Sequence, residues 1–128
     1  MKDYAIEGKF NLNLDLLTYL YKIGLSDLPC GIIDNESNRV EFRNKASISQ
    51  LKAWSVSIEN TQRLWHPDQL RRLQQNIRIL KNGENFERTY NLIIPRFGQI
   101  HLTDKFTRIE TDGKIKRVFE QLSCQIIR

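Results

Sequence analysis

The sequence predicts an α+β fold: an antiparallel sheet with one buried face, covered by helices drawn from the upstream part of the chain. Three observations carry this. The last third alternates apolar and polar residues with a period of two over three consecutive runs. Two earlier stretches, 11–23 and 67–80, repeat apolar residues at helical spacing. Between them lie two short strand-like runs joined by a polar turn. With 128 residues, no internal repeat and no linker, the chain fits one domain able to bury its own core.

In the first helical stretch, Leu12, Leu16, Leu20 and Ile23 recur at helical spacing, with Leu17 and Tyr19 widening the apolar face. Asn11 or Asn13 can cap its start, Asp15 suits its first turn, and Gly24 is placed to end it. This helix is more apolar than a helix at a sheet edge needs. Either it covers the sheet, or it packs against a second copy of itself. Ser26-Asp27-Leu28-Pro29 then breaks the helix, and CGIID (30–34) and RVEFR (39–43) form a hairpin around Asn35-Glu36-Ser37-Asn38. Residues 47–64 carry Ile48, Leu51, Trp54 and Ile58 among Ser, Asn and Thr, which predicts short helical turns joined by loops. His66-Pro67-Asp68-Gln69 opens a longer helix, since proline presets φ at the first helical position. Its inward stripe is Leu70, Leu73, Ile77 and Leu80, with Arg71, Arg72, Gln75 and Arg78 outward.

The three closing strands are the clearest elements. Phe86, Tyr90, Leu92 and Ile94 share one parity of the first, and Ile100, Leu102 and Phe106 one parity of the second. In the third, Val118, Leu122, Cys124 and Ile126 read as the buried parity, with Arg117, Phe119 and Gln121 on the polar one. Asp112-Gly113 joins the last two strands, because both residues tolerate positive φ. Arg88 and Asp104 interrupt the apolar parity of neighbouring strands, and a cross-strand ion pair accounts for both.

Composition narrows the class. A mean hydropathy of -0.50 and no long apolar run exclude a membrane span, and the charged N-terminus MKDYAIEGKF is no secretory signal. The net charge of +5 arises in the second half: residues 1–64 hold eight basic and eight acidic residues, residues 65–128 twelve and seven. No dense basic cluster or stacking motif accompanies the excess, so a solvated strand and helix face is expected rather than nucleic-acid binding. Cys30 and Cys124 sit in strand-like runs and read as reduced core thiols of a cytoplasmic protein.

The element order, with LPCGIIDNESNRVEFRNKA (28–46), LWHPDQLRRL (64–73) and GENFERTYNLI followed by DGKIKRVFEQLSCQII, resembles a PAS domain. The first segment is similar to the family's opening hairpin with its Asn-x-Ala exit. The second is similar to the His-Pro-Asp entry into its long helix, and the third to its C-terminal strands. The likeness covers roughly residues 26–127, which places a PAS domain at 26–128 behind an N-terminal amphipathic helical cap at 1–25. Two departures stand out. Pro95-Arg96-Phe97-Gly98 replaces a short glycine turn, and Ser123-Cys124-Gln125 stands where many members carry Asp-Ile-Thr.

The resemblance implies a five-stranded antiparallel sheet with helices packed on one face and a cavity between them. It implies a sensory and dimerisation module of a bacterial transcriptional regulator, histidine kinase or cyclic-dinucleotide enzyme. Ligand or partner binding would be relayed to an output domain beyond Arg128, unless the chain is a free-standing partner module. It favours a homodimer through Leu12, Leu16, Leu17 and Leu20, with Phe119 on the polar strand face as a further contact. Trp54, Trp65, Arg88, Tyr90 and His101 are the side chains best able to line or edge a ligand pocket, although Trp54 and Tyr90 more readily complete the core with their polar tips reaching a partner.

Cofactor chemistry is disfavoured. His66, beside Pro67, suits a helix cap better than a haem ligand; no Asn-Cys-Arg motif is present for a flavin adduct; and the His and Cys spacings fit no metal. No nucleophile elbow, phosphate loop or carboxylate pair supports catalysis, so no catalytic residue is assigned. The rival class is a small α+β enzyme or carrier holding a hydrophobic molecule in a central cavity, which needs a deep pocket with a His/Asp or Tyr/Asp pair inside; His101 and Asp104 buried together in one cavity would favour it.

Overall fold

The computed structural model describes residues 4–6, 14–57, 61 and 64–127, with side chains from residue 17 onward. The elements are β1 (Tyr4–Ile6), α1 (Leu14–Gly24), β2 (Cys30–Asp34), β3 (Val40–Asn44), α2 (Lys45–Ala53), α3 (Pro67–Arg78), β4 (Asn85–Ile94), β5 (Gly98–Thr111) and β6 (Lys114–Ile127). One antiparallel sheet holds them in the order β1-β3-β2-β6-β5-β4. The five expected strands are present. A sixth, three-residue β1, pairs along β3 from Tyr4↔Asn44 to Ile6↔Phe42, and no alternation announced it.

The sheet is buried on both faces, by different helices. On the inner face, α2 and α3 enclose a core of Leu51, Trp54, Leu73, Ile77, Tyr90, Leu92, Ile94, Ile100, Leu102 and Phe106. On the outer face, Ile23 of α1, with Tyr19 and Leu20 beside it, packs on Cys30, Ile32, Phe42, Ile109 and Val118. α1 therefore covers the sheet; Leu17 and Tyr21 stay exposed on it, as does Leu25 just past its end. Leu12, Asn11 and Asn13 lie outside the described residues, as does the side chain of Leu16.

Strand β6 corrects the expected parity. A register shift separates Thr103↔Ser123 from Asp104↔Gln121, leaving Leu122 as the extra residue of a bulge. Before the bulge the inner face receives Ile115, Arg117, Phe119 and Gln121; after it, Cys124 and Ile126 lie on that face, opposite Leu102 and Ile100. The run Val118-Leu122-Cys124-Ile126 is thus no single face. Val118 is buried under α1, while Leu122, Cys124 and Ile126 are exposed. Cys124 is accordingly not a core thiol, whereas Cys30 is, and burial pushes its pKa up to about 11. Phe119, expected on an outward contact face, lies inside against the main core.

Local chemistry explains the boundaries. His66 accepts from the Asp68 amide at 3.1 Å while Gln69 Oε1 accepts from the His66 amide at 2.9 Å, a reciprocal cap that starts α3 at Pro67. Asp112 (φ 52°) and Gly113 (φ 74°) turn β5 into β6. Gly31 is required by close approach: a Cβ there would meet Phe42 O at 2.4 Å and the Phe119 ring at 2.5 Å. On the outer face, Lys116 is buried against Glu41 at 2.7 Å, and Glu120 faces Lys22 of α1 at 3.7 Å and Lys105 at 3.9 Å.

Asn44 joins these pieces. Fully buried, its Nδ2 donates to Leu28 O (2.7 Å), Ile23 O (2.9 Å) and Ser26 O (3.3 Å), and its Oδ1 accepts from the Cys30 and Ser47 amides, both at 3.0 Å. Replacing it strips the α2 cap and leaves buried backbone groups unpaired. Asn44→Ala is expected to cost roughly 3–5 kcal/mol, read as a fall in the urea midpoint. Gly31→Ala, which presses a Cβ onto backbone that cannot yield, is expected to cost about 1–3 kcal/mol by the same measurement.

Candidate functional site

Between the inner face, α2 and α3 lies a cavity of about 90 Å³. Its walls are mostly apolar, including Leu51, Trp54, Leu64, Trp65, Leu73, Leu92, Leu102, Phe106 and Phe119. A few polar side chains enter from the strands: Arg43 from β3, Asp104 from β5, and Arg117 and Gln121 from β6; α2 adds Ser47 and Gln50. Apolar walls with few fixed polar groups are the usual composition of a small-molecule pocket.

The arginines and glutamines are held in place. The Arg43 guanidinium, 5.7 Å from the centre of the Phe119 ring, donates through Nη1 to Ser47 Oγ and through Nη2 to Thr61 Oγ1, both at 3.0 Å. Arg117 is 1% exposed and donates through Nη1 to Asn35 Oδ1 at 2.9 Å and through Nη2 to Asn38 Oδ1 at 2.7 Å. Asn35 in turn donates to Gln74 O at 3.1 Å, so Arg117 ties β6 to the β2–β3 turn and that turn to α3. Gln50 and Gln121 exchange amide hydrogen bonds of 2.7 and 2.9 Å, linking α2 to β6 just before the bulge.

Among the buried atoms without a hydrogen-bond partner are Arg117 Nε and Asp104 Oδ1, both on side chains of the cavity wall. Burial is the largest influence on the acid–base chemistry of Asp104, Arg117 and Tyr90, and for Asp104 it is the whole of it. It raises the Asp104 carboxyl to about 7, lowers Arg117 to about 10 and pushes the Tyr90 phenol upward. Near neutral pH, Asp104 is therefore poised between a carboxylic acid and a carboxylate, while Arg117 stays charged.

The five pocket candidates separate. Trp54 and Trp65 line the cavity. Tyr90 is core beside it, its ring edge-on to Trp65 with centroids 4.4 Å apart. Arg88 stands opposite Asp104 in the β4–β5 register, but among the described residues no ion pair joins them; its guanidinium turns along its own strand onto Phe86, 5.4 Å from the ring centre. The expected cross-strand pair is thereby corrected, because the cation–π contact holds the guanidinium at Phe86. His101 is corrected too. It pairs with Asn91 and Gln125 on the outer face, one residue out of phase with Ile100 and Leu102, so it cannot reach the cavity or join Asp104 there. His66 caps α3, its ring largely exposed, and among the described residues no cluster of His, Cys, Asp and Glu could hold a metal ion.

Arg43, Gln50, Arg117, Gln121 and Phe119 were not expected in this site. One signal for the β6 members was available: Ile115, Arg117, Phe119 and Gln121 are two apart, and Gly31 leaves room for a ring across the adjoining strand.

Comparison with solved structures reaches the same architecture. The chain is similar to the crystal structure of the PAS domain of an HTR-like protein from Haloarcula marismortui. The TM-score is 0.54 at 10% identity, covering 88% of this chain and 90% of that one. The fold is that of a PAS domain. No family model matches the sequence, and no curated protein does. Among the described residues no helix is long and apolar enough to cross a membrane.

The Asp104 carboxyl makes a testable contribution. Its folded-state pKa of about 7 stands above the ordinary 3.8, so its stabilising effect is complete below the ordinary value and is lost as pH rises through 7. Within that window stability should fall by up to about 1.4 kcal/mol per pH unit. Asp104→Asn is expected to remove this slope and to exceed the native chain in stability at pH 8, measured by urea unfolding across pH 4–8.

Proposed function

We propose that this PAS-fold chain is the sensory and dimerisation module of a bacterial signalling or transcription-regulatory protein, acting in the cytoplasm and without catalysis of its own. The carrying observation is the cavity between the inner face, α2 and α3, into which β6 sends Arg117, Phe119 and Gln121 while its alternate residues Val118 and Glu120 meet α1. A strand that touches the cavity with one face and the N-terminal helix with the other is a short mechanical link. A small molecule contacting Arg117 or Gln121 would shift β6, and α1 would feel the shift through Val118 and the Glu120–Lys22 pair. The homodimer contact is assigned to the exposed side of α1 and the residue after it, where Leu17 is 47%, Tyr21 74% and Leu25 65% exposed. Leu20 is turned to the sheet and Phe119 to the cavity, so neither belongs to that contact. The output, a DNA-binding, kinase or cyclase domain, would follow the last strand.

The dimer is tested by molar mass in solution. Intact protein is expected to run as a dimer, and a double Leu17→Glu, Tyr21→Glu variant as a folded monomer with its far-ultraviolet circular dichroism unchanged. Intact protein that stays monomeric at high concentration would remove the dimerisation role.

A further inference from the structure

We propose that the cavity binds a small organic monoanion, a short-chain monocarboxylate, with its charged end on Arg117. The proposal rests on the reading of this cavity as a sensory pocket and specifies its ligand. Arg117 is 1% exposed, yet among the described residues no carboxylate lies within ion-pairing distance of it. Its Nη1 and Nη2 donate to the neutral amide oxygens of Asn35 and Asn38, and its Nε–H has no partner. A guanidinium removed from water with no carboxylate in contact, and only Asp34 acting on it from farther off, is a costly arrangement, which an anion reverses most effectively where the dielectric is low. A carboxylate matches the guanidinium edge in shape as well as charge.

The rest of the wall narrows the anion. Arg43 adds a second cation to the same cavity, and the one carboxyl in the wall, Asp104, is held toward its neutral form by burial. The other polar side chains of the wall are already engaged, Ser47 and Thr61 with Arg43, Asn38 with Arg117, and Gln50 with Gln121, while Trp54, Leu73 and Phe106 present apolar surface. An alkyl tail suits it. The volume of about 90 Å³ limits that tail, since it equals roughly three water-sized groups. The scale is that of acetate or propionate, well below a haem, a flavin or a drug-sized molecule.

The test uses the full chain at pH 6, below the Asp104 pKa, and follows the thermal midpoint against sodium propionate, propionamide and sodium chloride at equal ionic strength. Propionate is expected to raise the midpoint saturably, at concentrations at least tenfold below those at which propionamide acts, and chloride to leave it unchanged. Arg117→Gln should abolish the response. If that variant does not fold, because Arg117 also pins Asn35 and Asn38, Leu70→Trp fills the cavity from α3 without touching Arg117 and should abolish it instead. Equal responses to propionate and propionamide, or an equal response to chloride, overturn the carboxylate. If propionamide alone binds and Leu70→Trp removes that binding, the ligand class is wrong while the sensory pocket stands. If neither binds, both the ligand class and the pocket's role in sensing fall, and the α1 dimer is left to its own test.

Discussion

One buried amide holds the two layers of this protein in register. Asn44 ends β3, caps α2 and ties down the chain between α1 and β2, using both ends of one side chain. The packing on the two sheet faces follows from it. α2 begins the inner layer at the residue after Asn44, while the carbonyl of Ile23, the residue that anchors α1 on the outer face, accepts from its Nδ2. A hydrophobic contact could supply similar burial but not this geometry, because only directed hydrogen bonds fix where a helix starts and where a loop stops. Asparagine alone among side chains of this size offers a donor pair and an acceptor together.

β6 is the second constraint, and it separates what was legible in the sequence from what was not. Strands β4 and β5 have regular alternation, and their buried positions follow from it: Tyr90, Leu92 and Ile94, then Ile100, Leu102 and Phe106. Helix α3 was equally readable, whereas α2, expected as short turns joined by loops, is one helix from Lys45 to Ala53 capped by Asn44. Leu73 and Ile77 point inward as their spacing requires, and His66 caps α3 as its place beside Pro67 suggests. The five-strand core and the PAS resemblance followed from such local signals. In β6 the period is interrupted by the bulge at Leu122, and a bulge has no residue signature strong enough to shift a phase read from apolar positions. Val118, Leu122, Cys124 and Ile126 therefore looked like one face, and Arg117, Phe119 and Gln121 like the solvated one.

The site was harder to read than the fold for a related reason. Its polar members are residue types usually found in water, so an arginine or a glutamine among strand residues signals exposure. Here burial is set by the layer above the strand, which no single run of residues encodes. Arg117 is enclosed because the β2–β3 turn brings Asn35 and Asn38 to it, and Arg43 because α2 and Thr61 fold over it. His101 failed in the opposite sense. It has the chemistry of a pocket residue, but stands one position out of phase with the residues that build the inner face. The β1 strand, at three residues, is too short for any periodicity to exist.

The strand order also bears on how the chain reaches this state. β2–β3 is a local hairpin and β4-β5-β6 a local meander, but the seam between them is β2 against β6, from Cys30↔Glu120 to Asp34↔Lys116. Those partners lie at opposite ends of the sequence, so closing the seam is the step with the largest loop-closure entropy. During synthesis β2 must wait for nearly the whole chain, with its inner edge unpaired and Gly31 still open to the place Phe119 will occupy. The docking of β6 then completes the sheet, inserts Arg117 beside Asn35 and lays down the surface on which α1 rests, all in one event. Folding should accordingly be limited by a single late closure, with the two halves forming quickly and independently beforehand.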